Sequence, residues 1–560
     1  MSAIAAIYNL DGRPVSREVL TRMRDASSLR GPDAATDWIS KSVGLSHRML
    51  FTTPESLQER QPWKDESGGI ELIYAGRVDN REDLRREFGA HGLEPRNPTD
   101  AELLLRAYQR WGEDFPERVL GDFALVLWDE SRQTLFCARD IAGIGQLHYF
   151  TDGKVFLCAS EISQLFPYFD SPPAPNEGMI AGYFAARIGN LEETIYQGIF
   201  RLAPGCSLSV SPSGLRKRRY WDFNPQHSVS YKTDEQYAGH FLDLFREAVR
   251  CRTRSHRPVG LLLSGGLDSS AVGGMLKSLQ QEGRLLAPGV ELYSMVFPGM
   301  DCDESSYIKI CADSWNAPSH TFEPDGGTLD SLNEEIARTK VLPEGPSPRG
   351  LRSIRAFVQE RGVRVVLNGW GADELLTGSQ AHHADLLAGL RFPTMISQLR
   401  AEHRLGRMST ETFLFHGIRP FVPESCLRAR RRLKRRLRGL PPTLIPPWID
   451  PDFAVRARVA ERPLQPEVLP FPTHAQRSIY QDCRDPYGIL DLETYEPRWA
   501  DWQVQVRSPF LHRPLMEFCL AIPEEQRWRG SWTKYVMRTA MLRRSPKLTQ
   551  PYSPKVTQAF

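Results

Sequence analysis

The sequence predicts two joined domains of different class: an α+β N-terminal part, then an α/β part built on a doubly wound parallel sheet. Three observations carry this. At 560 residues the chain exceeds the range over which one hydrophobic core keeps growing. About the first 200 residues alternate short apolar runs with turn signals. From Thr233 onward, short buried-looking strands alternate with helices, the rhythm of a parallel sheet covered on both faces.

In the N-terminal part VGLSHRMLF (43–51), IELIYAGRV (70–78), FALVLWDES (123–131) and TLFCARDIAG (134–143) read as strands, and TDAELLLRAYQRWG (99–112) has helical spacing. The Pro-, Ser- and charge-rich tract 209–234 marks the boundary, giving a first domain over 1–210, a linker over 211–232 and a second domain over 233–560. There the amphipathic helix EQYAGHFLDLFREAVRCR leads into LLLSGG, a further helix, ELYSMVFPG, a polar helix and VRVVLNGWGADE. RARRRLKRRLRG (428–439) puts eight basic residues into twelve, either a solvated helix face or a docking surface for an acidic partner.

Composition narrows the class. With 41% hydrophobic and 25% charged residues the chain is globular in type, and a net charge of +3 gives it no strong pull towards nucleic acid or membrane. No apolar run approaches the roughly 20 residues of a membrane span, and MSAIAAIYNLDGRP lacks the basic stretch of a secretory signal. Nine cysteines without CxxC spacing fit reduced thiols. The expectation is a soluble cytoplasmic protein without nucleic-acid or membrane partners.

The stretch VGLLLSGGLDSSAV (259–272) is a strand, a glycine turn and a helix start, which together aim backbone N–H groups at an anion. Gly265 and Gly266 allow close approach, and Ser264, Ser269 and Ser270 add hydroxyls. Asp268 would repel phosphate unless a divalent cation lay between them. The loop lacks the lysine of a γ-phosphate-transferring loop, so it suits pyrophosphate as a leaving group, with chemistry at the α-phosphorus. VVLNGWGADELL (365–376) repeats the strand-to-glycine turn and brings Asp373 and Glu374; at the carboxyl ends of one sheet, Asp268 and Asp373 can share a magnesium ion.

SGGLDSS followed by NGWGADE, behind a strand-rich first domain, resembles the asparagine synthetase family, and the resemblance runs along nearly the whole chain. LRGPD (29–33), LSHRML (45–50), RQPW (60–63), TDAE (99–102), LGDFALVLWD (120–129), ARDIAGIGQLHYF (138–150), RLAPG (201–205), DESSY (303–307), RSPFLHRPLMEF (507–518) and TKYVMRTAM (533–541) match in order. The resemblance implies an Ntn-type αββα sandwich, of the class II glutamine amidotransferase type, followed by a PP-loop ATP pyrophosphatase domain. It implies ATP and Mg²⁺ as cofactors, adenylation of a carboxylate and attack by an amine. By the same resemblance Leu262 and Val296 flank adenine, Asn368 and Gly369 line the nucleotide pocket, Asp268 and Asp373 hold magnesium, and Trp370, Asp373 and Glu374 belong to the catalytic set.

The sequence also departs from that family. Amidotransferase members begin Met-Cys, whereas residue 2 here is Ser2, a weaker nucleophile at neutral pH. Arg48 and Asp100 remain from the glutamine-holding pattern, but the expected Asn-Gly is Ala75-Gly76, which removes an amide donor. These four positions, Ser2, Arg48, Gly76 and Asp100, read as a vestigial glutamine site, so the amine comes from the substrate. That is the pattern of β-lactam synthetases and lasso peptide cyclases. Trp370 stands where asparagine synthetases usually carry glutamate and β-lactam synthetases tyrosine, and GWGADE, RQPW and SWTKYVMRTAM are most similar to the lasso cyclases. The reading is a macrolactam-forming cyclase whose partners are a precursor peptide, a leader-peptide-binding protein and a leader peptidase. An asparagine synthetase or other small-molecule amide ligase is the alternative, and a non-catalytic scaffold the third. The family's C-terminal lysine has no clear match: Lys547 and Lys555 qualify by position, and Lys534 lies in the preceding matched helix. His512 replaces a usual aspartate.

Overall fold

A computed structural model describes residues 1–66, 68–324, 328–342, 349–404, 406, 409–437, 445–463 and 468–542. In the N-terminal domain two six-stranded antiparallel sheets face each other. One orders Ile199–Arg201, His148–Thr151, Val155–Ala159, Ala3–Asn9, Val43–Met49 and Ala34–Ser40; the other orders Gly214–Arg219, Cys206–Ser211, Thr134–Arg139, Phe123–Asp129, Ile70–Gly76 and Trp63–Lys64. The period of two sorts the side chains. Ile4, Ala6 and Tyr8 meet Ile73, Val126 and Cys137 between the sheets. Ala5 and Ile7 turn outward onto Leu20 and Met23 of the helix Arg17–Asp25. Leu72, Leu125 and Leu127 turn the other way, onto Leu103 and Leu104 of the helix Asp100–Trp111. The result is the four-layer αββα sandwich of the Ntn type.

The C-terminal domain holds a five-stranded sheet in the order Ser319–Phe322, Val290–Met295, Val259–Leu262, Val365–Leu367, Gln505–Arg507, every neighbouring pair parallel. Phe241, Phe245, Val272 and Met275 of the helices Asp234–Arg252 and Leu267–Gln281 pack with Leu261 and Leu367. Ile354, Val358 and Trp499 of the helices Arg349–Glu360 and Pro486–Ala500 pack with Tyr293, Val366 and Val506. With helices on both faces the sheet is doubly wound. Strand order reverses at Val259–Leu262, so a ligand crevice is expected outside its carboxyl end.

One boundary moves. The tract read as linker from 211 begins with a hairpin: Gly214–Arg219 pairs along its length with Cys206–Ser211. Its strand GLRKRR is an exposed sheet edge, basic at its last four positions and without apolar alternation, and positive charge on an edge discourages further pairing. The segment 428–439 falls mostly in the helix Glu424–Leu437, on which Leu433 and Leu437 are exposed; residues 438 and 439 lie outside the described residues. No described helix is long and apolar enough to cross a membrane. All nine cysteines are free.

The helix Pro486–Ala500 joins the domains. Its Glu493 meets Arg201 Nε at 2.6 Å and Arg139 at 3.1 Å, and its Glu496 meets Arg30 at 2.7 Å, all buried. Burial works against the Glu493 anion, but Arg201, His148 and Arg139 together outweigh it and hold the carboxyl far below its usual range. Glu493→Gln leaves two buried guanidinium groups short of charge. The expected loss is about 3–5 kcal/mol, read as a lower denaturant midpoint. Because the folded-state pKa is depressed, the stabilisation is present above the unfolded carboxylate range and is lost as pH falls below it, so the variant and wild type should converge in acid.

Candidate active site

The carboxyl ends of Val259–Leu262 and Val365–Leu367 lie side by side, and each continues into a glycine turn. Gly265 takes φ +87°, a conformation that lets the loop fold back under the helix Leu267–Gln281. Gly369 sits where an added Cβ would stand 2.9 Å from Asp268 Cβ and from Ser269 N, so only glycine lets the two turns touch. Ser264 and Ser269 hydroxyls are 3.0 Å apart, and Ser269 also donates to Gly266 O; Ser270 is buried against Cys311. Leu262 ends its strand half-buried, and Val296, buried, follows the end of the neighbouring strand Val290–Met295. Asn368 accepts from Trp370 N at 3.2 Å and from Ser508 at 2.8 Å, which pins the second turn to the strand Gln505–Arg507.

Asp268 and Asp373 do converge, and on a residue of this chain. Lys534 Nζ donates to Asp268 at 2.6 and 2.7 Å and to Asp373 at 2.6 Å. Lys534 is 7% exposed and occupies the left-handed region at φ +56°, where its N–H caps Leu376 O. Burial would lower its pKa, but Asp268 and Asp373 outweigh burial and raise it, so the ammonium is retained. Two carboxylates against one ammonium leave a net negative pair, with Asp373 largely exposed at 74%. That oxygen donor set fits a hard divalent cation beside phosphate. Lys547 and Lys555 lie outside the described residues.

Glu374 is not among the acceptors of Lys534. Its Oε2 is buried without a hydrogen-bond partner among the described residues, and burial, then Asp373, raise its pKa. It lines a cavity of about 50 Å³ with Trp370, Leu492, Asp482 and, from the first domain, Ile141 and Pro204. Trp370 is half-buried and meets Tyr495 edge-on, ring centroids 5.2 Å apart.

The glutamine-site residues have other partners. Ser2 Oγ accepts from Leu50 N at 3.0 Å and lies 3.8 Å from Met49 Sδ, with no titratable base among its described contacts. Arg48 binds Asp25 at 2.8 Å. Gly76 ends its strand at φ +146°. Asp100, 3% exposed, is taken by Arg254 of the second domain at 2.6 and 3.0 Å, and also by Arg81. His512 is buried, 3.2 Å from Arg252, and burial pushes its pKa down to about 3, so it is neutral.

Comparison with known proteins agrees with this architecture. Residues 1–221 match the family profile described as a glutamine amidotransferase domain, and residues 240–550 match the one described as asparagine synthase. The chain belongs to the asparagine synthase family. This family member is 30% identical to Asparagine synthetase [glutamine-hydrolyzing] 3 of Bacillus subtilis over 399 residues, 68% of this chain and 63% of that protein. It is 29% identical to Amidase chry2 of Gibberella zeae over 443 residues, 75% of this chain and 65% of that one. With Asparagine synthetase [glutamine-hydrolyzing] 1 of Bacillus subtilis identity is 23% over 551 residues, 93% of this chain and 81% of that protein. The chain thus spans just under two thirds of the first two.

The sequence reading named Lys534 without giving it a place in the site, and singled out neither Arg254 nor Glu304. Lys534 carried a signal, its place in the matched TKYVMRTAM segment. Glu304 carried only its place in DESSY: its Cβ lies 2.9 Å from where a side chain on Gly265 would begin, against the anion loop. Burial, then Asp303, push the Glu304 pKa up to about 7. Below pH 7 it is neutral beside the loop; above pH 7 it is an anion. Affinity for ATP should therefore weaken by about threefold as pH rises from 6 to 8, and Glu304→Gln should flatten the profile, measured by calorimetric titration.

Proposed function

We propose that this protein is an ATP-dependent carbon–nitrogen ligase that adenylates a carboxylate, releases pyrophosphate and passes the acyl group to an amine carried on the same substrate, as a lasso peptide cyclase does in closing a macrolactam. The observation that carries the choice of amine is the engagement of Asp100 by Arg254. A buried carboxylate already paired with a cation of the second domain has no free charge for the ammonium of glutamine, and Ser2 offers a hydroxyl, a weaker nucleophile than the family's thiol. Ammonia then has no source in the first domain, while the anion-binding corner of the second is complete.

Each group has a physical task. The glycine turns and the first turn of Leu267–Gln281 present N–H donors to the phosphates, and Lys534 sets a buried positive charge beside them where it matters most in a site of low dielectric. Asp268 and Asp373 would hold magnesium, which when bound neutralises phosphate charge and favours departure of pyrophosphate. Glu374, with a raised pKa and an unbonded oxygen facing the cavity under Trp370, takes the proton of the attacking amine. The cavity walls from both domains exclude water from the acyl-adenylate. Holding amine and acyl group together on one substrate supplies roughly 7–11 kcal/mol in favourable geometries.

The names of the Bacillus subtilis relatives favour a second reading, asparagine synthesis from aspartate. The deciding experiment incubates the full chain with ATP, magnesium and a precursor peptide encoded beside it, together with a leader-peptide-binding protein and leader peptidase, and weighs the product. Loss of one water with AMP and pyrophosphate release supports the cyclase. Pyrophosphate release with aspartate and ammonia, and none with peptide, overturns it. Asp268→Asn should lower turnover by about two orders of magnitude, and Ser2→Ala should leave it unchanged; a large loss in the latter returns nucleophilic chemistry to the first domain.

A further inference from the structure

Residues 428–439 hold eight arginines and lysines and no acid, whereas the whole chain is only +3, so the remaining residues sum to −5. The charge is therefore concentrated, and most of it lies on the helix Glu424–Leu437. Cys426, Leu433 and Leu437 of that helix are exposed, the leucines at 59% and 79%. They recur at intervals of seven and four, so they share one stripe, flanked by Arg430 and Lys434 on one side and Arg436 on the other. A second basic run behaves differently. On the strand Gly214–Arg219 every charge is answered within the chain: Arg216 by Glu113, Lys217 by Glu192, Arg218 by Asp114 and Glu117, Arg219 by Asp222. On the helix, Arg430, Lys434 and Arg436 are exposed and meet no acid among the described residues. Like charges four residues apart, as Arg430 and Lys434 are, repel along a helix. A face that serves only solubility mixes both signs; this one gathers a single sign around an apolar stripe.

We propose that this face is a docking surface for an acidic amphipathic helix of a partner protein. The partner seats apolar side chains on Cys426, Leu433 and Leu437 and sets carboxylates against Arg430, Lys434 and Arg436. Charge complementarity fixes the sign of the partner, and the stripe fixes its form, since leucines one turn apart read apolar groups at the same spacing. Docking also relieves the repulsion along the helix. Nucleic acid makes no use of exposed leucines, and binding of its bases draws on aromatic side chains, of which this helix has none. A helix lying in a bilayer surface needs a broad apolar face, not one narrow stripe between charges. The negative remainder of the chain is moreover repelled by an anionic membrane. The surface does not rest on the ligase reading.

The test is fluorescence-anisotropy titration of the full chain against a labelled synthetic peptide as long as the helix. It carries leucines alternately three and four residues apart, with glutamates between them. A peptide of the same composition in scrambled order, vesicles of phosphatidylglycerol with phosphatidylcholine, and a DNA duplex compete against it. Saturable binding of the patterned peptide is expected, about tenfold tighter than the scrambled one and weakened by salt. It should fall about tenfold in Leu433→Ser with Leu437→Ser, and as much in Arg430→Ala with Lys434→Ala. All four positions are exposed, and the charge variant loses repulsion along the helix, so its denaturant midpoint should equal or exceed that of wild type. The proposal is overturned by absence of binding, by equal binding of the scrambled peptide, by stronger competition from vesicles or duplex, or by full affinity in either variant. A lowered midpoint in the charge variant overturns it as well, because those charges would then be held within the chain.

Discussion

The site depends on one electrostatic junction: a buried ammonium, Lys534, drawn against Asp268 and Asp373. The three residues are spread over 266 positions of chain, and only the parallel sheet brings them within reach. Two adjacent strands run the same way, so their glycine turns open on the same edge, and each turn sets an aspartate one step into the following helix. Gly369 lets the turns meet at contact distance. Lys534 caps the loop at Leu376 in a strained left-handed conformation, which fixes its side chain over both acids. The junction holds a buried positive charge at the carboxyl ends of the two strands and leaves Asp373 largely exposed.

The first domain has the fold of an amidotransferase, and several of its buried charges hold it to the second domain. Asp100 answers Arg254, and Arg254 lies on the chain between the helix Asp234–Arg252 and the strand that ends in the anion loop. Glu493 and Glu496 on Pro486–Ala500 are gripped by Arg139, Arg201 and Arg30 of the first domain, and the same helix carries Tyr495 and Leu492 to the synthetase site. Moving the first domain would move that helix. The domain therefore serves as a wall and a clamp for the second.

How far the sequence disclosed this follows from the range of the interactions. The two strand–glycine–helix corners were legible because each is local: apolar run, turn and carboxylate fall within a dozen residues. The sandwich was legible through the period of two in runs such as IELIYAG and FALVLWD. The strand Gly214–Arg219 was not, because an exposed basic edge has no apolar face to alternate. Lys534 was visible as part of a matched helix, but its contacts with Asp268 and Asp373 cross the whole domain and leave no local pattern. Arg254 on Asp100 escaped for the same reason, and Glu304 because nothing local ties DESSY to the phosphate loop.

The wall beside Trp370 constrains what can approach it. The cavity beside Glu374 and Asp482 is lined by acids and apolar groups, and the one arginine in its lining, Arg484, is held by Asp222 at 3.0 Å. Burial raises the pKa of both acids, so each reaches its anionic form at a cost that a neighbouring cation would relieve. Such a wall favours a group that carries positive charge and repels a carboxylate.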